Sequence, residues 1–212
     1  ANVLTLGAGL IGESLARHVL YTKRYLARLF DLAPERLSID FEPDTFGHSR
    51  NVPEIMRRGG VRHYYHCRGY DEHNLYRWQA PSGAEVLVYR DPFWYNAEVS
   101  PSMGGPVPEF CRRHGMDTML RAYGVGDHGG GPTRRDIERI IDMDTWPVFP
   151  RVRFGTFAGY FALAEKVRER LPVVNRELNP VFTGCYTTQT RIKAGNRAAE
   201  RRLAEAEAFA GV

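Results

Sequence analysis

Apolar positions Leu15, Val19, Tyr21, Tyr25, Leu26 and Leu29 recur near helical spacing with basic residues between them, which predicts a helix over Glu13–Phe30. Pro34 stops it. Leu37–Phe41 reads as a buried strand, and the polar turn Glu42-Pro43-Asp44 follows its end. Asn51–Gly60 predicts a short helix closed by Gly59-Gly60. His63–Cys67, Glu85–Tyr89 and Arg151–Phe154 are further expected strands, Asn2–Leu6 is a short β-prone run, and Arg134–Asp142 and Thr156–Glu169 are expected helices. Strands alternating with helices predict an α/β fold with a mainly parallel sheet and flanking helices. Asp91–Gly115, rich in Pro, Gly and aromatics, reads as one long functional loop. After Pro180 the character changes: Arg191–Phe209 is rich in Ala, Arg and Glu at spacing suited to a helical layer. The expected organisation is therefore a β/α domain over 1–180 and the start of a helical domain over 181–212.

Composition narrows the class. With 212 residues, 43% hydrophobic and 25% charged, the chain can bury a substantial core. No stretch reaches the ~20 apolar residues needed to cross a bilayer, and ANVLTLGAG carries no basic leader before an apolar run, so no membrane association and a cytoplasmic location are expected. Cys67, Cys111 and Cys185 are widely spaced and odd in number, which speaks against a disulfide framework. The net charge of +4 comes from basic residues scattered along the chain, such as Arg57, Arg58, Arg134, Arg135, Arg201 and Arg202. A solvated basic surface is the expectation rather than a nucleic-acid interface.

Three motifs carry chemistry. Gly7-Ala8-Gly9-Leu10-Ile11-Gly12, with Asp31 about twenty residues on, has the outline of a dinucleotide fingerprint, where glycines admit a pyrophosphate at a helix N-terminus. Against it, Tyr21–Asp31 reads as continuing helix and leaves no room for a second strand, so a tight turn before a helix is the alternative. In Phe41-Glu42-Pro43-Asp44-Thr45-Phe46-Gly47-His48-Ser49, proline presets the backbone before Asp44 and Gly47 permits a turn that can aim the carboxylate into a cleft. The same Asp44 could instead cap the helix starting near Asn51. In Gly124-Val125-Gly126-Asp127-His128-Gly129-Gly130-Gly131, glycines expose one Asp-His pair and no phosphate-loop ending follows. Thr133 then marks a helix entry. Ligands of parallel α/β sheets gather at the carboxyl ends of the strands, which favours Asp44 and Asp127 as site residues. No HxxxH, HExxH or Gly-x-Ser-x-Gly pattern occurs.

Taken together, Gly12–Leu26, Glu42–Val61, Gly124–Ile137, Phe154–Phe161 and Gly184–Arg197 resemble, in order, blocks of the α-mannosidases of glycoside hydrolase family 38. The Asp-x-Phe-Gly-His-Ser core at Asp44 is among the more specific of these signals. The resemblance implies a β/α catalytic domain followed by a helical bundle, a bound zinc ion, and hydrolysis of α-mannosides with retention. It implies Asp44 as nucleophile and zinc ligand, and Asp127 or His128 as general acid/base. Arg68 falls where the family places an arginine beside the nucleophile, Phe93-Trp94-Tyr95 where aromatics line the sugar site, and His48 joins the expected substrate contacts. The family's His-x-Asp zinc motif and its late histidine ligand are not in this chain, which therefore reads as part of a longer enzyme, inactive alone, with an exposed sheet edge suited to self-association. A dinucleotide-binding oxidoreductase and a non-catalytic carbohydrate-binding fragment are the alternatives.

Overall fold

The computed structural model describes residues 12–125, 129–179 and 183–211. In chain order it contains α1 (Gly12–Phe30), β1 (Ile39–Glu42), α2 (Val52–Arg58), β2 (His63–His66), β3 (Leu75–Gln79), β4 (Glu85–Arg90), α3 (Val107–His114), α4 (Arg134–Met143), α5 (Phe157–Ala164), β5 (Val173–Val174), α6 (Thr183–Thr187) and α7 (Thr190–Ala210). The strands form one sheet in the order β1-β2-β4-β3-β5. β1, β2 and β4 run parallel, β3 is antiparallel to β4, and β5 is parallel to β3. The mainly parallel α/β sheet expected from the sequence is the sheet observed.

Because side chains alternate across a strand, each central strand serves two cores. Tyr64, Tyr76, Trp78, Val86 and Val88 join Val19 of α1 and Val52 and Met56 of α2 on one face. Tyr65, Leu75, Leu87 and Tyr89 meet Phe110 of α3 and Tyr160, Phe161 and Ala164 of α5 on the other. The central residues of β2 (Tyr64, Tyr65) and β4 (Val86, Leu87, Val88, Tyr89) are thus consecutive buried hydrophobics, as strands covered on both sides require. A third cluster of Val99, Ile140 and Met143, with Trp146 and Phe149 against it, seats α4. Thr133 and Asp136 exchange backbone and side-chain bonds as a capping box at its start, the helix entry expected there.

Four local expectations differ from the structure. Arg151–Phe154 is not a strand: Asp144 takes the Arg151 guanidinium at 2.8 and 2.9 Å and the Val152 N–H at 2.8 Å, so side-chain bonds replace a ladder. Asp91–Gly115 is not one loop, because it holds a 3-10 turn at Pro101–Met103 and then α3, entered through Pro106 and closed by left-handed Gly115. β3 was hidden in the mixed stretch LYRWQ, and β5 is only two residues long. The expected Thr156–Glu169 helix tightens after Ala164 into a 3-10 turn over Glu165–Arg170.

α1 runs unbroken from Gly12 to Phe30 and the next strand begins at Ile39, so Asp31 follows a helix. A dinucleotide fold needs that acid at the end of a second strand. The fingerprint reading fails on this point, while Asn2–Ile11 lie outside the described residues. α1 also meets α7: Ser14 donates to Glu200 at 3.0 Å and Arg17 forks onto Glu207 at 2.5 and 2.9 Å. Among the described residues, no helix is long and apolar enough to cross a membrane.

Candidate active site

The carboxyl ends of β1, β2 and β4 point the same way, and the residues following them form one constellation. Asp44 leaves β1 after Pro43 and accepts a hydrogen bond from Arg68 Nε, two residues beyond β2. The Asp44 side chain is 41% exposed and that of Arg68 26%, so the pair is open to a ligand. Asp44 does not cap α2, whose first N–H, that of Val52, bonds to Ser49 O at 2.9 Å. The Arg68 guanidinium lies 4.5 Å from the centre of the Trp94 ring and 5.1 Å from that of Phe46. Two aromatic faces thus hold the cation, which holds the carboxylate.

The turns carrying Asp44 and Arg68 are laced by the segment after β5. Leu178 N–H bonds to His48 O and Tyr70 N–H bonds to Leu178 O, each at 3.0 Å. Gly47 (φ +116°) and Gly69 (φ +85°) press on that strap: a β-carbon would lie 2.6 Å and 2.0 Å, respectively, from Leu178 O. Only glycine fits either place.

Behind the turns, His66 is fully committed. Its Nδ1 bonds to Arg68 O at 2.7 Å, which must be a donation, so Nε2 accepts from Tyr76 OH at 2.8 Å. Burial holds its pKa down to about 3, and the ring is neutral. His48 turns inward as well: Nδ1 meets Tyr64 OH at 2.8 Å, the ring stacks on Trp78, and burial lowers its pKa to about 4. Its Nε2 has no partner among the described residues, and the ring lies buried beneath the turn.

The third strand end brings Asp91, fully buried. It accepts from Tyr65 OH at 3.0 Å, from Phe93 N–H at 3.0 Å, from Arg121 at 3.3 Å and from the Ala122 N–H. Burial raises its pKa, and these donors oppose the rise. Phe93, Trp94 and Tyr95 follow directly. Arg121 sits 3.8 Å over the Phe93 ring, and Trp94 and Tyr95 lie against each other with ring centres 5.2 Å apart. The structure therefore gathers Asp44, Arg68, Phe93, Trp94 and Tyr95. Asp127 and His128 lie outside the described residues.

Zinc prefers four N, O or S donors. Among the described residues, no three His, Cys, Asp or Glu side chains are grouped to hold a metal ion. His48 and His66 are turned to tyrosines, and Asp44 has an arginine before it. These residues do not make a zinc site by themselves.

Residues 8–182 match the glycosyl hydrolases family 38 N-terminal domain. The chain belongs to glycosyl hydrolase family 38. Alpha-mannosidase G of Dictyostelium discoideum is 31% identical over 206 residues, covering 91% of this chain and 18% of that protein. Alpha-mannosidase 2C1 of Homo sapiens is 29% identical over 212 residues, covering 92% and 19%. An alpha-mannosidase structure from Enterococcus faecalis V583 superposes with a TM-score of 0.62 at 21% identity, over 82% of this chain and 21% of that one, and so shares its fold. This family 38 chain spans about a fifth of the length of these relatives.

Sequence reasoning missed Asp91, Arg121 and Phe46 as parts of the site. A signal was present for Asp91. Like Glu42-Pro43-Asp44, it is an acid beside a proline at the end of an apolar strand.

Proposed function

We propose that this chain carries the nucleophile side of a retaining α-mannosidase centre. The observation that supports the reading most is the Asp44–Arg68 pair, open to solvent and clasped by Phe46 and Trp94 at the carboxyl edge of the sheet. Asp44 attacks the anomeric carbon, and the hydrogen bond from Arg68 Nε aims its carboxylate. Asp127, or His128 beside it, protonates the leaving oxygen and then activates water. A retaining enzyme holds its two carboxyl groups ~5–5.5 Å apart. Phe93, Trp94 and Tyr95 give apolar faces for the sugar ring. Zinc enters only as an expectation from the family resemblance, with Asp44 as one ligand and the others outside the described residues, and no step here depends on it. A terminal α-mannoside as substrate, a cytoplasmic location and self-association belong to the same proposal.

A mechanism-based fluoromannoside tests it on the complete gene product. The label is expected on the peptide containing Asp44, and Asp44→Asn should lower turnover more than about a thousandfold while the melting temperature holds. Label on another carboxyl group, or an active Asp44→Asn protein, overturns the assignment.

A further inference from the structure

Asp91 is buried, sits at the carboxyl end of β4, and takes no part in the chemistry proposed above. Its four donors come from three separate pieces of chain. Tyr65 belongs to β2, Phe93 opens the aromatic segment, and Arg121 and Ala122 belong to the stretch that enters the glycine-rich loop. Further bonds tie the same pieces. Tyr89 OH donates to Leu120 O at 2.5 Å, Gly124 N–H donates to Ala97 O at 3.3 Å, and the Tyr95 N–H reaches the Cys67 sulfur. Cys67 itself donates to Tyr65 OH at 3.5 Å, and burial pushes its thiol up to about 12, so it is a protonated packing group and no nucleophile. Without Asp91, the Phe93 N–H and the Arg121 guanidinium lose a common anchor, and Arg121 loses the reason to lie over Phe93.

We propose that Asp91 is a positioning residue of the site: through Phe93 N–H and Arg121 it sets the Phe93–Tyr95 aromatic platform, and through Trp94 the clasp on Arg68. The inference rests on the reading of this site as a mannoside-binding one. Asp91 reaches substrate only through the platform, so its loss should act on sugar binding more than on bond cleavage. The conservative replacement Asp91→Asn keeps the volume and one acceptor oxygen, turns the other into an amide donor, and removes the charge that holds Arg121.

The test uses the complete gene product and an activated aryl α-mannoside, at a temperature where every variant is folded. Asp91→Asn is expected to raise KM about tenfold with kcat changed less than about threefold, the split expected when binding contacts are lost rather than transition-state ones. Trp94→Ala is measured alongside and should raise KM in the same sense. The double variant should be no worse than the poorer single one, because both act on one platform. A purely architectural role would lower the melting temperature and leave the KM of the folded enzyme alone. KM within about twofold of the parent in Asp91→Asn, with Trp94→Ala impaired, overturns this inference and spares the site reading. An unimpaired Trp94→Ala overturns both. Should Asp91→Asn not fold, Arg121→Gln, at the more exposed end of the same ion pair, is read by the same criteria.

Discussion

β1 and β4 each bury carboxyl groups near the same edge of the sheet, and they treat them in opposite ways. At the end of β4, Asp91 collects four donors and is the hub of its surroundings. On β1, Asp40 and Glu42 point to one face, both 1% exposed. Thr45 donates to one Glu42 oxygen and the Phe41 N–H to Asp40, while Glu42 Oε1 meets no donor from outside the pair among the described residues. Only a proton shared between the two carboxyls can bridge them. Burial raises both pKa values, first through desolvation and, for Glu42, then through the neighbouring Asp40. Equal burial therefore gives an anchor where donors converge and a stored liability where they do not. The two strand ends also differ in what shapes them. Side-chain bonds to Asp91 organise the β4 end, whereas backbone packing of Gly47 and Gly69 on Leu178 organises the β1 end.

The largest expected effect tests the hub. Asp91→Ala removes every acceptor at once and leaves Arg121, whose side chain is 12% exposed, without its ion-pair partner. Breaking one side of a buried pair costs about 3–5 kcal/mol, so the variant should unfold at much lower urea than the parent. A loss of less than about 1 kcal/mol would mean that water replaces the carboxylate, and the contrast with β1 would disappear.

A smaller loss is expected from the backbone lacing. Gly47→Ala must place a β-carbon against the Leu178 carbonyl at a positive φ. Strain of this kind costs about 1–3 kcal/mol. The strap should shift and loosen the turn carrying Asp44, visible as faster amide exchange at Leu178 and Tyr70, whose N–H groups make the lacing bonds. Unchanged exchange at both would show that the turn is shaped by something else.

Much of this arrangement was legible beforehand, for identifiable reasons. α1, α2 and α4 repeat apolar residues at helical spacing and carry strong end signals, so their extents fell within a residue or two. β2 and β4 are short apolar runs between polar turns. Asp44, Arg68 and Trp94 were singled out through the family resemblance, and the fold brings them together. β3 was missed because Arg77 and Gln79 interrupt its apolar positions, an alternation clear only once β4 lies beside it. Asp91 escaped because an acid entering a Pro-rich segment looks like loop, and its donors come from 26 and 30 residues away. The burial of His48 was not foreseen, because a polar residue in a site motif suggests a surface, whereas packing against Tyr64 and Trp78 depends on the tertiary fold. Asp40 and Glu42 could not be read at all, since DFE in a strand gives no hint that the acids face inward.

The smallest effect concerns that acidic pair and carries the opposite sign. Asp40→Asn should stabilise the protein, because the new amide can donate to Glu42 where two carboxyls must share a proton. Both folded-state pKa values lie above the ordinary carboxylate range, so the native state holds more protons than the unfolded chain at intermediate pH. Stability then falls as pH rises from that ordinary range through the raised values, the reverse of a salt-bridged acid. Asp40→Asn removes part of that slope. Its gain should be near zero in strong acid, below about pH 3, where both carboxyls are neutral in either state, and grow to about 1–2 kcal/mol toward alkaline pH. Urea midpoints of parent and variant at several pH values measure it, with Glu42→Gln as a second probe of the same pair. A constant gap between the two curves would mean that Asp40 titrates alike in the folded and unfolded states. A gap that widens on acidification would mean that Asp40 is ionised and paired in the native state, and the difference between the two strand ends would vanish.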